Sequence, residues 1–523
     1  MKLIQIALLA LVLAGASYFL QADARLDGAD EGYYWYGVVH TAQGQVPIRD
    51  FEAYDPGRYY WGAACVLLSG GGILAVRLGA SLFQALCLFC GLSALSRVVK
   101  SRVALFGVGV VCTAWMFLNF RYFDAGLPLA AIFFAVRLVE EPSLRRHFEA
   151  GAAAALALFF GLNHGLYFLG AFCALSIFCE WKKILPTPVR ARLFFLYGLL
   201  SGSLPLLGMW IFVPGFFGAY WGRFFEFGGF FLKGMANYQA KIPWPWTLSW
   251  KEIVLPGAEL WIRALQFSSL WAQGLSFLIV ILFYGVSTLI LFRIKKETIL
   301  SNPLFPASVF VGLFYAHHIF ARSDLSHLGE GIFPMIVGFL SVLLFFSAPR
   351  RKAGVWVFAV SFSILTVLAP LSVSNLFFKA FVPPDAVVRY SIGKDNICLL
   401  KIEAAFLDEV KQVLDQHVPP DEPILFAPLL TTLYPVFGKT SPVWEIYFFR
   451  PASEALENKL ISQMEEGRVK WAMITENNPA DNRPEVQFAA SHPKLYAYLK
   501  KNFEALPARL PVGYSFLKRV KNP

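Results

Sequence analysis

Charge is scarce in this chain of 523 residues: Asp, Glu, Lys and Arg make up 15% of it, against 57% hydrophobic residues. A soluble domain carries roughly a quarter charged residues. An ordinary soluble globular protein is therefore excluded, and a mean hydropathy of +0.54 points to a polytopic membrane protein. Cysteine is sparse as well. Six of the seven, Cys65, Cys87, Cys90, Cys112, Cys173 and Cys179, lie in or beside apolar runs, and only Cys398 lies in the hydrophilic tail. No disulfide framework is expected. The chain lacks a Gly-rich phosphate loop of the P-loop or dinucleotide type, an internal repeat and any low-complexity segment. Its formal charge of +11 does not indicate nucleic acid. Many Lys and Arg residues sit in short clusters between apolar runs, where they set topology, and no basic groove or base-stacking module is recognisable.

What is present is a series of apolar runs that read as eleven spans. Leu3 to Leu20, behind Lys2, is expected to be an uncleaved first helix, although the Ala-rich stretch to Ala24 leaves a cleaved leader open. About Ala75 to Arg97 follows, ending at Arg97, Lys100 and Arg102. Val103 to Val139 is too long for one crossing at roughly 20 residues. Broken by Asn119, Arg121 and Asp124, it reads as two short helices turning at Arg-Tyr-Phe-Asp. Phe148 to Trp181 reads as a second short hairpin turning at Asn163-His164-Gly165. The remaining spans are about Leu193 to Val213, Gly274 to Phe292, Pro303 to Phe320, Leu328 to Ala348, which ends at Arg350, Arg351 and Lys352, and Val355 to Leu376. Tyr59 to Gly72 reads as a helix at or dipping into the interface. The Trp- and Tyr-rich stretch Pro214 to Trp271 reads as irregular structure and interfacial helices in the headgroup zone. Each expected inner connection carries a Lys/Arg cluster, which puts the N-terminus inside and the C-terminus outside.

From about Val382 the chain turns hydrophilic. Glu403 to His417, Ser453 to Glu466 and Pro484 to Phe503 read as helices; Pro423 to Ala427, Lys470 to Thr475 and Tyr514 to Val520 read as strands. The fold class is then a mainly α polytopic membrane protein with a small C-terminal α/β domain. Residues 1–381 form the transmembrane domain, with an external loop at 22–61 and an external segment at 214–271, and residues 382–523 form the soluble domain. That domain carries no catalytic motif, so a scaffold, acceptor-guiding or partner-binding role is expected of it.

The chemistry is concentrated where the chain first leaves the membrane. Asp27 to Trp61 reads DGADEGYYWYGVVHTAQGQVPIRDFEAYDPGRYYW, with an Asp30-Glu31 pair directly after an apolar segment. A hydroxyl that is to act as a nucleophile needs a carboxylate to accept its proton; the bland alternative is a pair of solvated, N-capping acids. Asp124 is a second acid at an external turn, to be read as functional or as the cap of the helix starting at Ala125. Arg58, His164, Arg223, Lys233, Arg322 and His327 are external bases. They run against the topological charge bias, and an anionic phosphate gives them a reason; the bland alternative for each is a snorkelling helix-end side chain. The sharpest of these turns is Arg322-Ser-Asp-Leu-Ser-His327, which follows His317 and His318. Its histidines lack a recognised zinc spacing such as His-Glu-x-x-His.

The Asp-Glu pair beside a span, the Gly44-x-x-Pro-x-x-Asp-Phe51 turn and the Pro56-Gly-Arg-Tyr-Tyr-Trp61 segment together resemble the first external loop of the GT-C membrane glycosyltransferases. The likeness is to the family 39 type, which includes lipid A aminoarabinose transferases and protein mannosyltransferases. It implies a GT-C-like fold and an inverting transfer of a sugar from a polyprenyl-phosphate donor to a lipid, glycan or protein acceptor. The setting implied is the external face of a bacterial inner membrane, among membrane lipids, with the C-terminal domain in the periplasm. It implies Asp30 as catalytic base with Glu31 as supporting acid and Asp124 as the second-turn acid. Arg58, Tyr59, His164, Arg322, Asp324 and His327 would line the substrate, with Arg322 as the main phosphate ligand. A divalent cation, Mg or Mn, would be held by Asp30, Glu31 and Asp124 if one is used. The Lys-Pro-Pro of the aminoarabinose enzymes is replaced here by Asp55-Pro-Gly-Arg58, which speaks against that specificity. Two rivals come from other classes: a transporter or lipid flippase, which would show ionisable groups inside spans and pseudo-repeated halves, and a structural subunit of an envelope assembly acting through the tail.

Overall fold

The computed structural model describes residues 2–97, 99–116, 123–234, 242–249, 260–342, 367–370, 374–475 and 486–520. The chain divides into two compact units. One comprises Met1–Ala22, Ala80–Gly208 and Tyr238–Ala380; the other comprises Asp23–Gly79, Met209–Asn237 and Phe381–Pro523.

The first unit is helical. Its opening helix Leu3–Gln21 has no charged residue and leaves Leu8, Val12 and Phe19 exposed. An apolar face of this extent is disfavoured in water and matches lipid. Among the described residues, five helices are long and apolar enough to cross a membrane: Leu3–Gln21, Ile73–Leu95, Leu162–Trp181, Arg263–Arg293 and Leu304–Ala321. Two bent pairs, Pro188–Gly202 with Leu204–Phe212 (48°) and Leu325–Gly331 with Phe333–Val342 (49°), bring the number to seven if each is one span. The bends fall at Ser203-Leu-Pro205 and Ile332-Phe-Pro334, where proline removes a backbone donor and crowds the preceding turn.

The described residues thus supply five to seven of the eleven expected spans, and part of that count falls on residues outside the described ones. Leu127–Glu140 and Leu144–Phe160 have 14 and 17 residues, or about 21–26 Å at 1.5 Å per residue, short of a hydrocarbon core of roughly 30 Å, and Arg102–Met116 ends at the limit of the described residues. The turn residues Asn119 and Arg121, most of the span Val355 to Leu376, and the cluster Arg350, Arg351 and Lys352 lie outside the described residues.

The second hairpin turns earlier than expected. Gly161 takes an extended conformation between helices Leu144–Phe160 and Leu162–Trp181, so Asn163 and His164 belong to the first turn of a helix and not to the loop. The preceding helix packs on Pro188–Gly202 at very short range: a Cβ on Gly198 would fall 2.1 Å from the Phe148 carbonyl oxygen. With Gly202 one turn on, this is a small-residue seam of the kind that lets membrane helices approach closely. The stretch Pro214 to Trp271, expected to hold irregular structure and interfacial helices, ends in a helix from Leu260 that runs unbroken over 34 residues to Arg293, through the start of the span expected at Gly274. At about 51 Å it is longer than a hydrocarbon core, and its aromatic first turns carried the headgroup signal without breaking the helix.

The second unit is α/β. The tail forms a four-stranded sheet in the order Ile424–Ala427, Trp471–Thr475, Tyr514–Arg519, Phe503–Ala505, the first pair parallel and the others antiparallel. Ile424–Ala427 and Trp471–Thr475 are buried at every position, as the unbroken apolar run of a covered strand requires. Helices Lys401–His417 and Glu454–Glu466 stand where expected. The expected helix Pro484 to Phe503 is instead Phe488–Ser491 and Pro493–Asn502, parted at Pro493, and Phe503 begins a strand; Pro484 lies outside the described residues. A hairpin pairing Val387–Ile392 with Asp395–Leu400 was not foreseen. The tail core is shared with the helix Phe216–Gly234, whose Phe227 stacks on Trp444 at 6.4 Å between ring centroids.

Candidate functional site

The second unit gathers the first loop around the tail. Asp27 starts the geometry: its Oδ1 accepts the Ala29 and Asp30 N–H groups at 2.9 and 3.0 Å, which sets the entry of helix Asp30–Ala42. Gly32 then lies against Thr432 so closely that a Cβ would fall 2.1 Å from the threonine hydroxyl. Glycine is the residue that permits this contact. Thr431 and Thr432 donate to the Ala29 and Asp27 carbonyl oxygens, completing the dock.

The adjacent acids have different surroundings. Glu31 is buried and accepts two parallel bonds from Arg77, from Nε at 2.6 Å and Nη2 at 2.7 Å, while Arg77 also donates to the Ala24 and Arg25 carbonyl oxygens. This is a bidentate, charge-assisted contact, the stronger class of ion pair. It ties the start of the loop to the helix Ile73–Leu95. Both Glu31 oxygens are thereby engaged by a guanidinium, which does not suit the divalent cation expected there. Asp30 is only half-buried, and its Oδ1 accepts the Tyr447 hydroxyl at 2.6 Å.

Tyr447 is held in turn by Glu52. The Glu52 carboxylate, 1% exposed, accepts the Ile446 and Tyr447 N–H groups at 3.2 and 3.1 Å and meets Arg450 Nη1 at 3.3 Å. Burial foremost, and the neighbouring Glu445 carboxylate after it, push the Glu52 carboxyl up to about 7, while Arg450 opposes them. Glu445 is itself buried, with His492 Nε2 at 3.1 Å. Around this cluster, Tyr33 lies edge-on to Tyr54 and Tyr447 at 4.8 and 5.3 Å. Tyr59 is fully buried, its hydroxyl accepting the Tyr54 N–H at 3.0 Å. Arg58 is buried over the Tyr54 ring at 5.1 Å. Arg223 places its charge within reach of Glu52, Tyr33 and Tyr59, and its Nε is buried with no hydrogen-bond partner among the described residues. The side chain of Lys233 lies outside the described residues.

The first unit gathers the other candidates among themselves. Asp124 does not cap the following helix, whose N-cap is Gly126; its Oδ1 lies 2.9 Å from His164 Nε2. His164 is fully buried, and its Nδ1 lies 2.9 Å from the Tyr315 hydroxyl. Arg322 Nε pairs with Asp324 Oδ2 at 2.8 Å, and Asp324 Oδ1 lies 2.8 Å from His327 Nδ1. His318 contacts Glu330 through Nε2.

Sequence reasoning missed Arg77, Glu52, Glu445, Tyr447, Arg450, His318 and Glu330 as members of these clusters. Arg77, a single charge inside an apolar run, carried a readable signal. So did Glu445 and Arg450, which bracket the aromatic run Ile-Tyr-Phe-Phe. Nothing local marked Tyr447.

The class that the fold defines is a helical membrane unit joined to an α/β unit. No family model and no curated protein matches the sequence. Among solved structures, the chain is similar to ArnT from Cupriavidus metallidurans in the apo state, with 14% identity over 98% of this chain and 97% of that one and a TM-score of 0.44. It is also similar to the same protein bound to undecaprenyl phosphate, with 15% identity over the same shares and a TM-score of 0.39. Identity and superposition at this level carry over neither a site residue nor a substrate.

Proposed function

We propose that this protein is an integral-membrane glycosyltransferase of GT-C type that moves a sugar from a polyprenyl-phosphate donor to an acceptor on the external face. The observation that carries the reading is the half-exposed Asp30 carboxylate, oriented by the Tyr447 hydroxyl at 2.6 Å in a loop whose sequence resembles that of the family. In this reading Asp30 accepts the proton of an acceptor hydroxyl as the oxygen attacks the anomeric carbon from the face opposite the phosphate, which inverts that centre. Glu31 fixes the loop through Arg77. Arg58 and Arg223, beside Tyr33, Tyr54 and Tyr59, supply fixed positive charge, and Arg322 is the main ligand of the lipid phosphate, whose charge grows as the bond breaks.

A transporter remains the second reading because one feature favours it: His318 and Glu330 are ionisable groups buried in helices of the membrane unit. Mass spectrometry of lipid-linked sugars and envelope glycans, with and without the gene and with the external leaflet first labelled by a membrane-impermeant reagent, separates the two. A transferase predicts a missing decoration together with an accumulated polyprenyl-linked sugar on the external leaflet. Accumulation on the cytoplasmic leaflet alone contradicts it and indicates transport.

A further inference from the structure

The end of helix Leu304–Ala321 and the short helix Leu325–Gly331 fold back on each other across Arg322-Ser323-Asp324. This brings together three side chains whose spacing, His-x8-His-x2-Glu, gave no metal signal: one ligand atom each of His318, His327 and Glu330 lies within 4.8 Å of the others. The His318 and His327 ring centroids are 5.1 Å apart. His318 and Glu330 are buried, and His327 is half-buried.

We propose that His318, His327 and Glu330 bind a divalent transition metal of the Zn²⁺ class, with water or an anionic oxygen in the fourth position. Two imidazoles and one carboxylate form a nitrogen-rich set that suits zinc, whereas Mg²⁺ and Mn²⁺ favour all-oxygen surroundings. The outer partners are also in place. Metal-bound histidines commonly give their second ring nitrogen to a carboxylate that fixes ring orientation, and His327 Nδ1 lies 2.8 Å from Asp324 Oδ1, leaving Nε2 as the ligand. Asp324 is itself fixed, because its Oδ1 also accepts the His327 N–H at 2.9 Å and its Oδ2 meets Arg322 Nε at 2.8 Å. Asn163 lies 3.4 Å from His318 Nδ1. The oxygen and nitrogen ends of an amide are interchangeable by rotation, so Asn163 can present the acceptor that a metal-bound His318 needs. His164 is not a ligand, since its two nitrogens face Tyr315 and Asp124. His317 is exposed, with its Nδ1 at the Tyr167 hydroxyl.

The test uses the full chain in detergent with its affinity tag removed, stripped by chelator and dialysed against ZnCl₂ or MnCl₂. Metal per chain is read by mass spectrometry, and CoCl₂ serves as an absorption probe of a tetrahedral site. Wild type should hold about one Zn²⁺ per chain, take up Mn²⁺ far more weakly, and show the visible bands of tetrahedral Co²⁺. His327→Ala and the near-isosteric Glu330→Gln should weaken zinc binding at least about 100-fold and lose those bands. Asp324→Asn keeps a residue able to cap the helix but loses the carboxylate behind His327, and should weaken binding about 10–100-fold. His317→Ala should match wild type. Wild-type protein without stoichiometric zinc, or zinc affinity unchanged in folded His327→Ala and Glu330→Gln, overturns the site and leaves His318 and Glu330 as a hydrogen-bonded pair.

Discussion

Replacing Glu52 by Gln tests whether a buried acid joins the first loop to the tail. The Glu52 carboxyl is pushed from an ordinary 4.5 up to about 7 by burial and by Glu445. A carboxyl raised in the folded state contributes stability that is fully present below the unfolded value and is lost as pH rises through the folded one. The window is therefore about pH 4.5 to 7. A shift of this size corresponds to roughly 3 kcal/mol at 1.36 kcal/mol per unit. For a body the size of the second unit this moves the melting temperature by about 6–12 °C. Gln mimics the protonated acid and keeps an oxygen for the Ile446 and Tyr447 N–H groups. Thermal melting of both proteins from pH 5 to 8, followed by tryptophan fluorescence, should show wild type falling below Glu52→Gln by that margin. Titrating groups remote from Glu52 are common to the two proteins and cancel, and Glu445 and Arg450, which face it, are the groups whose titration changes with it. Parallel curves would refute the reasoning, because they would mean that Glu52 carries no proton linkage between the folded and unfolded states.

Tyr447→Phe removes the hydroxyl that orients Asp30. A hydrogen bond to a charged group is worth about 1.5–3 kcal/mol, so kcat should fall about 10–100-fold with KM for the donor unchanged; a loss confined to thermal stability would make the tyrosine purely structural. Arg322→Lys keeps the charge and loses the planar fork, so it should retain part of donor binding, whereas Arg322→Ala should lose most of it. Donor binding at the wild-type level by folded Arg322→Ala would leave the arginine as a partner of Asp324 alone.

Legibility in the sequence followed the range of the interactions. The tail strand at Trp471 was readable because its cause is local, an unbroken β-prone run, whereas the helix beginning at Asp30 stands in a stretch expected to be an external loop. The hairpin Val387–Leu400 was also local, with a turn at Gly393-Lys394 where Gly393 has a φ of +57°. It was not among the expected elements. Asp30 and Tyr447 are 417 residues apart, and no periodicity or motif links residues at that range. The acid pair shows the same limit at short range. Asp30 and Glu31 are adjacent and chemically alike, and only Arg77 and Tyr447, each supplied from elsewhere in the chain, give them separate roles. His318 and Glu330 were obscured in another way, since the turn that joins them is set by Asp324 capping a helix too short to show periodicity.

The central claim is that Asp30 is the base of a sugar transfer, and it is tested most directly in cells lacking the gene and complemented with wild type or with Asp30→Asn. The variant keeps the shape and an oxygen for the Tyr447 hydroxyl but cannot accept a proton. Glycan decoration and polyprenyl-linked sugar are measured by mass spectrometry, with expression and melting temperature matched. Positioned acid–base groups contribute about 10²–10⁴-fold to rate, so Asp30→Asn should fail to restore the decoration while the lipid-linked sugar accumulates. Full restoration by Asp30→Asn would contradict the account.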